Sequence, residues 1–125
     1  MHENEISAII LDSSIKIHQT LGPGLLESVY EEVLAYELSK RGLNVERQKS
    51  LPVIYEEVKM EVGFRLDLLV NDKVIVELKS VEKLHRLHFK TVTNYLNLSN
   101  KKLALLINFN VLLLKNGYHR IVNKL

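Results

Sequence analysis

The spacing of apolar residues changes along the chain from helical to strand-like and back, which predicts an order of secondary-structure elements. Apolar residues recur at helical spacing over residues 4–19 and again over 25–41, on either side of a Gly-Pro-Gly break. Gly42 follows the second helix, where glycine commonly ends a helix. The later pattern predicts strands over 44–55, 58–70 and 74–79, a helix over 82–98, and strands over 103–109, 112–114 and 118–122. The order ααβββαβββ indicates an α/β (α+β) fold, a mixed β-sheet flanked by helices.

One predicted hairpin, residues 63–80, carries charges where its strands are otherwise apolar. Two apolar runs surround the turn signal Asn71-Asp72, and Asp67, Glu77 and Lys79 interrupt them. A charge inside a buried strand costs several kcal/mol unless it is paired or binds a metal. These three positions are therefore candidates for chemistry.

The register of this hairpin decides whether the two carboxylates meet. A two-residue loop would pair Val70 with Lys73 and place Asp67 and Glu77 on opposite faces of the sheet. A three-residue loop pairs Val70 with Val74 and places Asp67 opposite Glu77. We favour the second register, because it gives one wholly aliphatic face. That face would contain Leu66, Leu68, Val70, Val74, Val76 and Leu78, and the other face Arg65, Asp67, Leu69, Ile75, Glu77 and Lys79.

Length and composition are those of an ordinary soluble domain. The chain has 125 residues, 46% of them hydrophobic and 26% charged, so we expect one domain over 1–125. No apolar run approaches the roughly 18 residues of a membrane span, and the N-terminus lacks the features of a secretory signal. With no cysteine, disulfides, thiolate nucleophiles and cysteine zinc sites are excluded. A cytoplasmic location is the expectation.

Positive charge is concentrated in one stretch, although the net charge is only +2. On the helix predicted over 82–98, Lys83, Arg86 and Lys90 share a face. This face is either a solvated basic surface or a track for phosphates. His85 and His88 are spaced for a metal, but no third ligand accompanies them, and we favour surface or phosphate-facing histidines.

The acidic residues suit a hard cation. Asp67 and Glu77, with Glu27 from the second helix as a candidate third ligand, would form an oxygen-only site of the kind that Mg²⁺ or Mn²⁺ prefers. Lys79 could orient or deprotonate a water, or neutralise charge on a phosphate. Together they suit metal-assisted hydrolysis of a phosphodiester. Taken alone, Glu27 could simply be an acid interacting favourably with a helix N-terminus. The later acids of that helix, Glu31, Glu32 and Glu37, are expected to be solvated surface.

Two motifs resemble a known family. Asp67, nine residues, and then Glu77-Leu78-Lys79 resemble the PD-(D/E)XK nuclease signature. Residues 24–30, Gly-Leu-Leu-Glu-Ser-Val-Tyr, resemble the pattern that names the GxxExxY protein family, which is placed in that superfamily. Residues 106–109 are similar to that family's late core strand, and the resemblance covers about residues 6–122.

The resemblance implies a restriction-endonuclease-like core and roles for particular residues. It implies that Glu27 is the helix-borne acid, that Asp67 and Glu77 are metal ligands and that Lys79 is the catalytic lysine. Gly24, Tyr30 and Tyr95 would support the site. The phosphate backbone of DNA or RNA would be held by Arg65, Lys83, Arg86 and Lys90.

One departure from the family pattern bears on turnover. Members commonly carry a glutamine four residues before a tyrosine such as Tyr95, whereas this chain has Thr91 there. Leu66 also replaces the proline that often precedes the aspartate, a common variation. Our first hypothesis is a Mg²⁺-dependent nuclease. The alternative is a nuclease-fold module, weak or inactive in catalysis, that binds nucleic acid or a protein; a third is a self-associating chain with a vestigial site.

Overall fold

The protein consists of a mixed sheet between two helical layers. The computed structural model describes all residues, 1–125. Its helices are α1 (Glu3–Leu21), α2 (Glu27–Lys40) and α3 (Arg86–Ser99). Its strands are β1 (Val45–Leu51), β2 (Ile54–Tyr55), β3 (Val58–Lys59), β4 (Phe64–Val70), β5 (Val74–Lys79), β6 (Leu103–Asn108) and β7 (Tyr118–Val122). None of the helices is long and apolar enough to cross a membrane.

The main sheet has the strand order β1-β4-β5-β6-β7. Strands β5 and β6 are parallel and joined through α3, and every other neighbouring pair is antiparallel. A parallel pair needs a long crossover, which α3 supplies. Strands β2 and β3 form a small separate hairpin. The predicted fold class, a mixed sheet flanked by helices as in restriction-endonuclease-like cores, is confirmed.

Both faces of the central strands are covered. The larger apolar cluster packs α1 and α2 against one face, through residues such as Leu38, Val76 and Leu105. The smaller cluster packs α3 against the other face, through residues such as Val92 and Leu106. This double burial explains why β5 and β6 are nearly continuous apolar runs rather than alternating ones.

Four predicted elements differ from the structure. The strand predicted over 44–55 is divided into β1 and β2, which belong to different sheets. The strand predicted over 58–70 is interrupted, so that only β3 and β4 remain. The strand predicted over 112–114 is wrong, because the chain there leads into a 3-10 turn, Leu114–Asn116, and of the two predicted closing strands only β7 forms. The third helix begins at Arg86 rather than at residue 82.

The late start of α3 has a local cause. The Nδ1 atom of His88 accepts a hydrogen bond of 2.9 Å from the backbone N–H of His85, which caps the helix at that point. Lys83 therefore lies in the preceding loop and not on a helical face with Arg86 and Lys90. The predicted basic helix face is reduced to Arg86 and Lys90, one turn apart.

The predicted hairpin register is correct, with one exception in the faces. Leu68 pairs with Val76 and Val70 pairs with Val74, as the three-residue loop requires. Leu66, however, packs in the α3-side cluster with Leu69, and not on the aliphatic face. Side-chain alternation is therefore broken at Asp67, beyond the end of the backbone ladder between β4 and β5.

Candidate metal site on the central hairpin

Asp67 and Glu77 lie opposite each other where the ladder between β4 and β5 ends. Oε1 of Glu77 accepts a hydrogen bond of 2.9 Å from the backbone N–H of Asp67. In return, Oδ2 of Asp67 accepts one of 2.9 Å from the backbone N–H of Leu78. Each carboxylate thus takes a backbone donor that would otherwise belong to the strand ladder, which holds the two acids side by side.

Neither acid has a cation in contact, although Glu77 is buried and Asp67 is half-buried. Glu77 is 7% exposed, and none of the ion pairs in the structure includes it or Asp67. Burial, reinforced by the neighbouring charge of Asp67, raises the pKa of Glu77 to about 8. Burial also raises the pKa of Asp67. Ionisation of both acids is unfavourable here, because the two negative charges repel each other and are poorly solvated. A bound cation would offset both effects.

Lys79 ends β5 beside the acid pair. Its positive charge lowers the pKa of both Asp67 and Glu77, against the larger effect of burial. The backbone there is fixed, because the carbonyl of Lys79 accepts a 2.9 Å hydrogen bond from the N–H of Phe109. The motif lysine therefore sits on a rigid strand end, where its charge acts on both carboxylates.

Asn108, which the sequence placed only in a late core strand, secures the chain just after β5. Its buried side-chain amide accepts a hydrogen bond from the N–H of Val81 at 3.1 Å and donates one to the carbonyl of Val81 at 2.9 Å. These bonds connect the end of β6 to the exit of β5. Asn108 therefore supports the strand end that carries Lys79.

Tyr95 of α3 faces the same two acids. Its ring stacks on Phe64 with the centroids 4.9 Å apart, and burial together with the negative charges of Glu77 and Asp67 raises its pKa. Thr91, one turn earlier, donates its hydroxyl to the carbonyl of Leu87 at 3.0 Å. That hydroxyl is engaged within its own helix.

The acids of α2 are placed differently from the prediction. Glu27, the first residue of the helix, is exposed and makes no hydrogen bond or ion pair. Glu31, predicted as solvated surface, is 8% exposed and is paired with Arg47 of β1 at 3.0 Å. The negative charge of Glu31 also contributes to the raised pKa of Asp67. The surface prediction is wrong for Glu31 and also for Glu37, which is 7% exposed. Glu31 lies three residues before Leu34 of the buried stripe, and this helical spacing was the available signal.

The structure joins two of the three predicted ligands. No three His, Asp or Glu side chains form a group that could hold one metal ion. Asp67 and Glu77 are together, whereas Glu27 lies at the start of α2. The exit of β5 does approach that helix start, since the hydroxyl of Ser80 donates a hydrogen bond to the carbonyl of Leu25.

The predicted phosphate-binding residues are all exposed. Arg65 of β4 lines a groove of about 650 Å³ next to the β2–β3 hairpin. Arg86 and Lys90 lie on α3, and Lys83 in the loop before it. His88 has its Nδ1 atom occupied by the helix cap, so its role here is structural.

Gly24 and Tyr30 shape the entry to α2. Gly24 has a φ of 97°, a conformation that glycine adopts readily. The hydroxyl of Tyr30 donates a 2.6 Å hydrogen bond to the carbonyl of Gly22 and accepts one of 3.1 Å from the N–H of Leu25. Its ring stacks on Phe109 at 4.5 Å. The two residues hold the loop before the helix in place.

Replacing Tyr30 by phenylalanine should therefore weaken the fold. The change keeps the stacked ring but leaves the Gly22 carbonyl and the Leu25 N–H without their partner, which costs about 1–3 kcal/mol. The free energy of unfolding in urea measures the loss. Tyr36→Phe is the control, because Tyr36 is 66% exposed and has no hydrogen bond. Equal stability of the two variants would contradict a structural role for the Tyr30 hydroxyl.

Comparison with known proteins agrees with this geometry. The search of curated proteins and the search of solved structures each found no match. A family model for the PD-(D/E)XK nuclease superfamily matches residues 4–121. That range contains both helix α2 and the complete Asp67…Glu77-Leu78-Lys79 motif. The chain belongs to the PD-(D/E)XK nuclease superfamily.

Proposed function

We propose that this protein is a divalent-metal-dependent nuclease of the GxxExxY family, a single cytoplasmic domain that hydrolyses phosphodiester bonds in DNA or RNA. The observation that carries the proposal is the adjacent pair of a half-buried Asp67 and a buried Glu77, which has no cation in contact and whose pKa values are raised. Structural acids buried elsewhere in the fold are paired with arginine, as Glu31 is with Arg47. A pair left without such a partner suits a cation that arrives separately.

The residues present fit Mg²⁺ or Mn²⁺. Magnesium is commonly bound by one or two carboxylates, with waters and substrate phosphates completing the shell. Asp67 and Glu77 would hold the ion, and we propose Glu27 at the start of α2 as a further ligand. When bound, the ion would polarise the phosphate and lower the pKa of an attacking water.

The other residues of the chain would act on water and substrate. Lys79, whose charge reaches both acids, would orient or deprotonate the attacking water and offset negative charge on the phosphate. Tyr95 would border the site from α3. Exposed basic side chains would hold the nucleic-acid backbone through its phosphates; these are Arg65, Lys83, Arg86 and Lys90.

A second candidate function is a binding module without turnover. Thr91 favours it, because its short hydroxyl is bonded within α3 and does not supply the amide that the family commonly has there. The net charge of +2 is also small for a nucleic-acid-binding protein. Such a module would keep the fold and bind nucleic acid or a protein, as a monomer or a homodimer.

Titration with Mn²⁺ tests the site. Calorimetry should show binding to the wild-type protein, and Asp67→Asn should lose it, since an amide is a far poorer ligand for a hard cation than a carboxylate. Asp72→Asn is the matched control, because Asp72 is an exposed aspartate at the turn of the same hairpin. Wild-type protein that binds no Mn²⁺, or Asp67→Asn that binds it equally well, would reject the proposed site.

A further inference from the structure

The backbone of β1 is distorted directly beside Asp67. Gln48 has a φ of 49° within an otherwise extended strand. The pairing of β1 with β4 is regular on both sides, at Arg47–Leu68 and at Lys49–Leu66, but Gln48 and Asp67 between them do not pair. Left-handed backbone is unfavourable for a residue with a side chain, and such outliers concentrate at functional sites.

The distortion places the Gln48 side chain between two acids. Its Nε2 atom donates a short hydrogen bond to Oε1 of Glu31 on α2. The same nitrogen lies 3.5 Å from Oδ1 of Asp67, which is a long hydrogen bond. Hydrogen bonds in metal-free or substrate-free sites are often long and tighten in the complex. One amide thus connects the helix to the metal-binding strand.

The Glu31 end of this connection is rigid. Arg47 donates to Oε2 of Glu31 from Nε at 3.2 Å and from Nη2 at 3.0 Å. Glu31 can therefore anchor the Gln48 amide without turning toward Asp67 itself. The Oδ2 atom of Asp67 is already held by the N–H of Leu78. The Gln48 amide donates to the remaining oxygen, Oδ1. Both oxygens of the Asp67 carboxylate thus have a hydrogen-bond donor, which fixes the orientation of the group.

We propose that Gln48 is a positioning residue for the metal site. Its side-chain amide, anchored on Glu31, orients the Asp67 carboxylate for the cation. The amide also separates the Glu31 carboxylate from Asp67, so that Glu31 does not take the position of the cation. The inference rests on the proposed metal binding by Asp67 and Glu77. It assigns a role to a strand residue outside both sequence motifs. Loss of a group that orients a metal ligand typically weakens metal affinity by 10–100-fold.

Gln48→Gly separates this role from a role in stability. Glycine adopts a positive φ readily, which offsets part of the cost of losing the hydrogen bond to the buried Glu31. We therefore expect the variant to remain folded, which its melting transition shows. Its Kd for Mn²⁺, measured by calorimetry, should rise about 10–100-fold. Gln48→Asn also tolerates the backbone conformation but is one methylene shorter, and it should lose affinity in the same way.

Glu56→Gly provides the matched control. Glu56 also has a positive φ, 50°, but lies in the turn between β2 and β3. This variant should retain the wild-type Kd for Mn²⁺. Wild-type affinity in Gln48→Gly, or in a folded Gln48→Asn if the glycine variant fails to fold, would overturn the positioning role alone. Absence of Mn²⁺ binding by the wild type would instead reject the proposed function and, with it, this role.

Discussion

Replacing Glu77 by glutamine is expected to stabilise the metal-free protein while abolishing its divalent-metal binding. Glutamine has nearly the same shape, and its carbonyl oxygen can still accept the hydrogen bond from the Asp67 N–H. The substitution removes a buried negative charge that no cation contacts and that repels Asp67. The gain in unfolding free energy should be on the order of 3 kcal/mol at pH 7.

The effect should depend on pH in a defined direction. The pKa of Glu77 is raised in the folded protein to about 8, from an ordinary value of 4.5. The contribution of Glu77 to the free energy of unfolding is therefore fully favourable below about pH 4.5 and is lost as the pH rises through 8. The wild type and Glu77→Gln should be nearly equal in stability at low pH and diverge as the pH rises. Urea unfolding in the presence of a chelator, at several pH values, measures this.

Glu37→Gln is a control with the opposite sign. Glu37 is also buried, at 7% exposed, but Arg41 and Lys16 contact it. The hydrogen bond from Arg41 is the main cause of the lowered pKa of Glu37. Glu37→Gln should therefore destabilise the protein at neutral pH, with the difference vanishing in acid, and should leave Mn²⁺ affinity unchanged. If Glu77→Gln were less stable than the wild type at pH 8, the inference that the charge of Glu77 destabilises the metal-free protein would be wrong.

Replacing Lys79 by methionine is expected to reduce nucleic-acid cleavage by about 10²–10⁴-fold, the usual contribution of a positioned proton-transfer group. Methionine retains much of the apolar stem and removes the charge. Metal binding should persist, because the carboxylates that would hold the ion are unchanged. Cleavage of single- and double-stranded DNA and RNA with Mn²⁺ measures turnover, and calorimetry measures Mn²⁺ affinity.

Lys73→Met is the matched control for this experiment. Lys73 lies in the turn of the same hairpin, where its ammonium donates to the carbonyl of Met1 at 2.7 Å. The Lys73→Met variant should cleave nucleic acid at the wild-type rate. Equal background cleavage by wild type and Lys79→Met, with nucleic acid still bound at low salt, would instead support the binding module.

The sequence predicted the central hairpin well, because its information is local. The turn length and the aliphatic positions fix the register of β4 and β5, and the register alone brings Asp67 opposite Glu77. Leu66 was misplaced for a local reason as well. Past Leu68 the carboxylates take the backbone donors, and the alternation assumed for an intact ladder no longer holds.

The features that the sequence missed elsewhere have both long-range and local causes. The buried Glu31 is paired with Arg47, which is distant in sequence, and the residues next to Glu31 do not indicate that partner. The left-handed backbone of Gln48 could not be predicted, because glutamine rarely adopts this conformation and no neighbouring glycine marks the position. The start of α3 depends on one histidine cap that competes with the helical pattern of residues 82–85.

The exchange of side-chain for backbone bonding at the end of β4 and β5 has a spectroscopic consequence. The amide protons of Asp67 and Leu78 are protected from solvent by carboxylate oxygens rather than by strand carbonyls. Their chemical shifts and exchange rates therefore follow the ionisation and ligation of the two acids, while the amides of buried β6 follow global unfolding. In a nuclear magnetic resonance spectrum, these two backbone signals become built-in reporters of what occupies the site.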